Sequence, residues 1–339
     1  MGAMWFRGRE FITALSETVG YKTGLAINEE RVHAIVEAIG QGAYWPEDDD
    51  AVMRIRSEDF EELFAGVLHR LGAGPPRRVV APLFDVYRSA LEDPEAKASF
   101  DALAPECVEF LRGSVMAAEP GGRLDPAPFI DRAAESHGAP GREIAIRMVD
   151  TISEQLLQSP FSSIRRVEWE DVRDLDELFA AEKLESPHGD YFDQRFVNFL
   201  AQNFDEIDEI NWRQFEGLAA EFFGRLGFGV KIGPGRGDDG VDIRLWPDGS
   251  SAEKQPAAVL VQCKRERRKI SKTVVKALWA DVEAEGADSG LVVTTSALSP
   301  GARAVRTGRG YPIGEADRDV LRQWVEAMRT PGAGVFLGE

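Results

Sequence analysis

Apolar positions along the first 200 residues recur with a period near that of an α-helix. The spacing predicts helices over Glu29–Ile39, Ser57–Leu71, Val79–Leu91, Ala104–Met116 and Arg142–Leu157. Ser57, followed by Glu58 and Asp59, reads as a helix start, and Gly72 as a stop. The stretches GAGPP, EPGGRLDPAP and HGAPG separate the helical segments. Strand-like alternation is scarce, so this region reads as all-α. From Asn211 the rhythm changes. NWRQFEGLAAEFFGRLGF reads as an amphipathic helix, followed by GVKIG and VDIRLW as strands and AAVLVQCK as a third, central strand. SKTVVKALWADVEAEG is a second helix, capped by Ser271 and stopped by Gly286. SGLVVTTS is a fourth strand, SPGARAVRTG a helix, YPIG a short strand and EADRDVLRQWVEAMR a closing helix. This part predicts an α/β domain with a mixed sheet flanked by helices.

The pattern divides the chain into a helical region over 1–185, a helical linker over 186–210 that follows EKLESPHGD, and an α/β domain over 211–339. Charge sharpens that division. The net charge is −18, but residues 1–210 hold 21 Lys+Arg and 41 Asp+Glu (net −20), whereas 211–339 hold 19 and 17 (net +2). Such asymmetry points to two modules with different partners. Two distant cysteines argue for a reducing, cytoplasmic setting and against a disulfide framework or zinc ribbon. The four histidines form no HxxxH or HExxH pair, so any metal is expected to be a hard cation on oxygen ligands. No apolar run approaches the ~18 residues of a membrane span.

Candidate chemistry gathers around AVLVQCKRERRKIS, residues 258–271. Alternation along a strand puts Leu260, Gln262 and Lys264 on one face. AAVLV is apolar on both faces and reads as central, so an amide and an ammonium emerge at the end of a core strand. An unpartnered lysine there is costly, and an anion is expected nearby. Asp242, between Val241 and Ile243 in the preceding strand, is the natural partner if the two strands pair as a hairpin. Glu216, beside Phe215 in the domain's first helix, is a fourth candidate. A divalent ion such as Mg²⁺ takes such oxygens: the Asp242 and Glu216 carboxylates, the Gln262 amide and the Cys263 backbone carbonyl. Lys264 would orient water and offset charge at phosphorus. Arg265, Arg267, Arg268, Lys269 and Lys272 are a natural set of phosphate-backbone contacts. GRGDDG (Gly235 to Gly240) formally matches GxGxxG, but a strand rather than a helix follows, which argues against a nucleotide loop. FEELFAGVLHRLG (Phe60–Gly72) echoes FEGLAAEFFGRLG (Phe215–Gly227) as two amphipathic helices with glycine stops. No strands follow the first copy, so a duplicated domain is not supported.

The ordered set FEGLAAEFFGRLGF, GDDGVDI, VQCKR, GLVVTTS and SPGAR resembles the Mrr-type restriction endonuclease domain of the PD-(D/E)xK nuclease superfamily, over about residues 211–328. The resemblance implies that Asp242 is the motif aspartate, Lys264 the motif lysine and Glu216 the helical acid of the metal site. Gln262 takes the place of the usual acid, as in Mrr-type domains, which removes one negative charge and throws more weight on Glu216. VTTS implies packing or phosphate contacts by Thr294, Thr295 or Ser296. The implied function is a Mg²⁺-dependent DNA endonuclease (Mn²⁺ substituting) of restriction or anti-phage type, acting on duplex DNA. A homodimer or higher oligomer follows by analogy. The acidic helical region is a candidate regulatory or partner-binding module. Two other readings stand beside it: a catalytically weak nuclease fold that only binds DNA, and an interaction protein whose N-terminal half is the working part.

Overall fold

The computed structural model describes residues 2–74, 83–117, 125–162, 165, 171–184, 186–235, 240–247 and 256–329. The start of the predicted Val79–Leu91 helix, the middle of GRGDDG and most of the PDGSSAEKQP turn lie outside those residues. The chain divides into two compact units, one of residues 1–69, 73–172 and 331–339, the other of 70–72 and 173–330. Among the described residues no helix is long and apolar enough to cross a membrane.

The first unit contains β1 (Ala3–Arg7), α1 (Gly8–Thr23), β2 (Leu25–Ala26), α2 (Glu29–Ala38), β3 (Val52–Arg56), α3 (Ser57–Arg70), α4 (Phe84–Ala90), α5 (Pro94–Ala117) and α6 (Ala127–Gln158). The predicted helices fall at or within α2 to α6. The expectation of an all-α region is corrected by β1 and β3, which pair antiparallel with Trp5 opposite Arg54. Each strand has only five residues and its partner lies two helices away, so its alternation is too short to stand out in sequence. Phe6 of β1 packs its ring against Phe11 and Phe60, which seats the ribbon on α1 and α3. A second core joins α4, α5 and α6 through Phe100, Leu103, Phe129, Ile144 and Met148. HGAPG does break the chain: α6 bends at Gly138, whose φ of 63° is left-handed, two residues before Pro140.

The second unit carries β4 (Arg173–Asp174), α7 (Glu177–Ala180), α8 (Gln194–Gln202), α9 (Trp212–Arg225), β5 (Gly229–Ile232), β6 (Ile243–Trp246), β7 (Val259–Lys264), α10 (Lys272–Glu285), β8 (Ser289–Thr294), α11 (Pro300–Arg309), β9 (Ile313–Ala316) and α12 (Arg318–Met328). The stretch read as linker is therefore folded: Phe196, Phe199 and Leu200 of α8 are buried. Five strands form one mixed sheet in the order β5-β6-β7-β8-β9. β5, β6 and β7 run antiparallel, which short connections allow. β7, β8 and β9 run parallel, so α10 and α11 supply the crossovers that parallel neighbours require. β7 is the middle strand, as its two-sided apolar run predicts. Leu260 sits in a core with Val275, Leu278, Val282 and Val292. Ser271 does occupy the N-cap of α10, but its side chain makes no capping hydrogen bond, unlike Ser299 and Asp317 at the next two helices.

Two buried charges make the stability of each unit testable. Asp193 and Arg195 are each 1% exposed. Asp193 accepts from the Arg195 backbone N–H (2.9 Å), Nε (2.8 Å) and Nη2 (2.9 Å). Asp193 also lies 3.6 Å from Arg173 Nη1, so Asp193→Ala removes a buried carboxylate that faces two guanidiniums and is expected to cost about 3–5 kcal/mol in urea unfolding; a loss under ~1 kcal/mol would contradict this. In the first unit Lys22, 1% exposed, donates Nζ to the Leu156 carbonyl at 3.1 Å. Burial pushes its pKa down from 10.5 to about 8. Between those values the unfolded chain binds more protons than the folded one, so this group makes stability rise with pH across that window, by at most about 3 kcal/mol. Lys22→Met should lose that rise, and urea midpoints that run parallel for the two proteins from pH 7.5 to 10.5 would refute it.

Candidate active site

The site is built at the carboxyl end of β7. The β6–β7 hairpin register pairs Ile243 with Val261, and one step further places Asp242 beside Gln262. The Asp242 N–H donates to the Val261 carbonyl at 2.9 Å. Its carboxylate Oδ2 in turn accepts from the Cys263 N–H at 2.6 Å. The side chain is thus held by the strand it faces, which makes burial of an aspartate, 8% exposed, affordable without displacing the ladder. α9 brings in Glu216. The Asn211 side chain caps this helix by accepting from the Arg213 N–H at 2.8 Å, which fixes the phase of its first turn. Phe215 and Leu218 pack inward, and the same turn carries Glu216 inside, 5% exposed.

Glu216, Asp242, Cys263 and Lys264 line one pocket of about 340 Å³, with Trp212, Phe215 and Arg265 around it and Gly235 and Gly240 at its turns. Gly240 has φ 89°, and a Cβ there would lie 3.0 Å from Gln262 Nε2. A side chain at 240 would therefore be strained and would crowd the amide. Gln262 is not on the pocket wall. It is 6% exposed, and its Oε1 has no hydrogen-bond partner among the described residues. A buried amide oxygen without a partner, beside the Asp242 carboxylate, is a costly arrangement unless a donor or a cation meets it.

The donor set fits a hard divalent cation on these grounds. No three His, Cys, Asp or Glu side chains gather as a metal group among the described residues. The oxygens present are instead two carboxylates, one amide and the backbone of β7, the mixture that a magnesium-type ion accepts. The same carboxylates act on Cys263. Burial first, then Asp242 and Glu216, hold its thiol well above the ordinary cysteine value, while Lys264 pulls it down less.

Three features of the site are absent from the sequence reading. Arg213 Nη1 donates to Glu216 Oε2 at 2.6 Å. The i, i+3 spacing of the two was a readable signal. Glu221, one and a half turns further along α9 and 4% exposed, is a loop anchor rather than a pocket acid. Its Oε2 accepts from the N–H groups of Asp190, Tyr191 and Phe192, and its Oε1 from Arg225 Nε. The acidic turn after α8 meets the basic cluster. Arg265 Nη1 donates to the carbonyls of Asp208 (3.3 Å) and Ile210 (2.6 Å), and Arg267 pairs with Glu209. Arg318 reaches Asp205 and Asp208.

The expected phosphate contacts therefore divide. All five cations are exposed, and of them Arg265 and Arg267 also hold the chain's own acidic turn. Thr295 does not stand where a phosphate would reach it: it is 3% exposed and its hydroxyl donates to the Glu266 carbonyl at 3.3 Å. Thr294, 0% exposed, accepts from the Ser296 N–H, which leaves Ser296 half-buried. These contacts tie the end of β8 to the end of β7. The raised thiol predicts that Cys263 stays protonated near neutral pH and is alkylated far more slowly than a free cysteine. Iodoacetamide labelling followed by mass spectrometry checks this, and rapid labelling of Cys263 in the folded protein would contradict it.

Comparison with known proteins places the domain. Residues 207–325 match the Mrr_cat family model, described as restriction endonuclease. The uncharacterized protein y4cE of Sinorhizobium fredii (strain NBRC 101917 / NGR234) is 31% identical over 101 residues, 29% of this chain. The chain spans about a quarter (25%) of that relative's length. Among solved structures, MspJI restriction endonuclease in complex with a 27-mer oligonucleotide is similar at 21% identity and a TM-score of 0.26, over 58% of this chain and 46% of that one.

Proposed function

We propose that the restriction endonuclease domain at residues 207–325 is a divalent-metal-dependent DNA endonuclease that hydrolyses phosphodiester bonds. The observation that carries this reading is the meeting of Glu216 of α9, Asp242 just before β6 and Lys264 at the end of β7 on one pocket wall. Asp242 and Glu216, with the Gln262 amide oxygen and the Cys263 carbonyl, would hold Mg²⁺ or Mn²⁺. Such an ion, when bound, polarises a phosphoryl oxygen and lowers the pKa of water.

The chain's own groups have separate tasks in this reading. Asp242, pinned by the Cys263 N–H, presents its carboxylate without rotamer freedom. Lys264, an ammonium at the strand end, orients the attacking water and offsets charge that builds on the phosphate oxygens. It lines the same pocket as Asp242 and Glu216. Arg268, Lys269 and Lys272, exposed beyond it, would bind the backbone on either side of the scissile bond without reading sequence. Duplex cleavage needs two strand cuts, which two copies of the domain would provide.

The test uses full-length protein and supercoiled plasmid with Mg²⁺, Mn²⁺ or EDTA. Asp242→Asn and Lys264→Ala are each expected to cut at least ~100-fold more slowly than the unmodified chain. Nicking that survives EDTA, or that both variants retain in full, would overturn the proposal.

A further inference from the structure

We propose that Arg213 is a positioning residue that acts as a built-in counter-cation, holding the Glu216 carboxylate and competing with a divalent ion for it. This rests on the reading of Glu216 as a metal-holding carboxylate. The observation is the ion pair itself: 2.6 Å from Arg213 Nη1 to Glu216 Oε2, with side chains only 17% and 6% exposed. A charge-assisted bond this short, shielded from water, is among the strong ones. The guanidinium is also wedged. A Cβ on Gly235 would lie 3.2 Å from Arg213 Nη1 and 2.8 Å from the Trp212 ring, so the turn at Gly235 packs directly on the first turn of α9. The Asn211 cap fixes the same turn from its other end. Arg213 therefore has little freedom to leave when a second cation arrives.

The consequence follows from charge. Glu216 and Asp242 share a pocket with Lys264, so one ammonium there faces two buried carboxylates, which repel each other and are costly to desolvate, and Arg213 adds a second positive charge. Arg213 relieves that cost in the metal-free protein. Once a cation occupies the pocket, the same guanidinium is a like charge a few ångströms away, through a medium that screens poorly. It lowers metal affinity in return for keeping the empty site folded. Gln262 in place of an acid has the same sign, because it too removes negative charge from the pocket.

The test is Mn²⁺ binding to the full chain by calorimetry without DNA, so that it does not depend on cleavage. Arg213→Gln is expected to bind Mn²⁺ about tenfold more tightly than the unmodified protein. Arg213→Lys, which keeps the charge, should stay within about threefold of it. A folded Arg213→Gln protein that binds Mn²⁺ no more tightly, or more weakly, would overturn the inference and leave Arg213 a structural clamp. Should that variant not fold, Arg213→Met carries the same expectation and the same overturning result. The metal reading is separated by Asp242→Asn: if the unmodified protein binds no Mn²⁺, or binds it as well after Asp242→Asn, that reading fails and this inference with it.

Discussion

The carboxylate of Asp242, accepted into the β6–β7 hairpin by the Cys263 N–H, is the constraint on which the site depends. It binds the end of the middle strand to the strand beside it. It also sets where every other candidate group stands. With Asp242 in that place, Gln262 lies opposite it in the register, Lys264 emerges one step later, and a side chain at Gly240 would meet the Gln262 amide at 3.0 Å in a left-handed backbone. α9 then closes the pocket from the other side with Glu216. A different register would move the whole polar set to the opposite face of the sheet.

Charge is arranged with similar economy. The acidic turn over Phe204–Asp208 stands in solvent, with the Asp205 side chain 92% exposed, and does not carry its charge alone. Instead it is met by arginines from two elements. Arg265 and Arg267 reach it from beyond β7, and Arg318 and Arg322 from α12, both guanidiniums lying over the Phe204 ring. The domain's basic cluster is thus partly spent on its own chain. All five cations, Arg265, Arg267, Arg268, Lys269 and Lys272, are exposed, but Arg265 and Arg267 are also engaged by the chain's own acidic turn. A count of charges cannot separate these two groups, since all five side chains belong to one run of sequence.

Much of the second unit was legible because its signals are local. β7 is apolar on both faces, and α10 and α11 connect the parallel strands as the helical segments between them predict. The convergence of Asp242, Lys264 and Glu216 was also legible, through strand alternation and the resemblance to a known motif order. The β1–β3 ribbon was not, because five alternating residues are too few to outweigh the helices between them. Between the packing and phosphate roles expected of Thr295, sequence offers no choice. A hydroxyl at a strand end suits a ligand or a backbone carbonyl equally well, and only packing puts it at 3% exposure against Glu266.

The sequence by itself determined the two-part layout, the central strand, the glycine turns and the residue types that meet in the pocket. These follow from periodicity, propensity and the cost of burying unpaired charge, all of which act over a few residues. Only the tertiary structure decided how each polar group is spent: Arg213 on Glu216, Glu221 on the 190–192 turn, Arg265 and Arg267 on the acidic turn, and the Gln262 oxygen on no partner among the described residues. Those pairings join residues that are distant in sequence or equally able to pair elsewhere. Their energies depend on burial and distance, which exist only once the chain has folded.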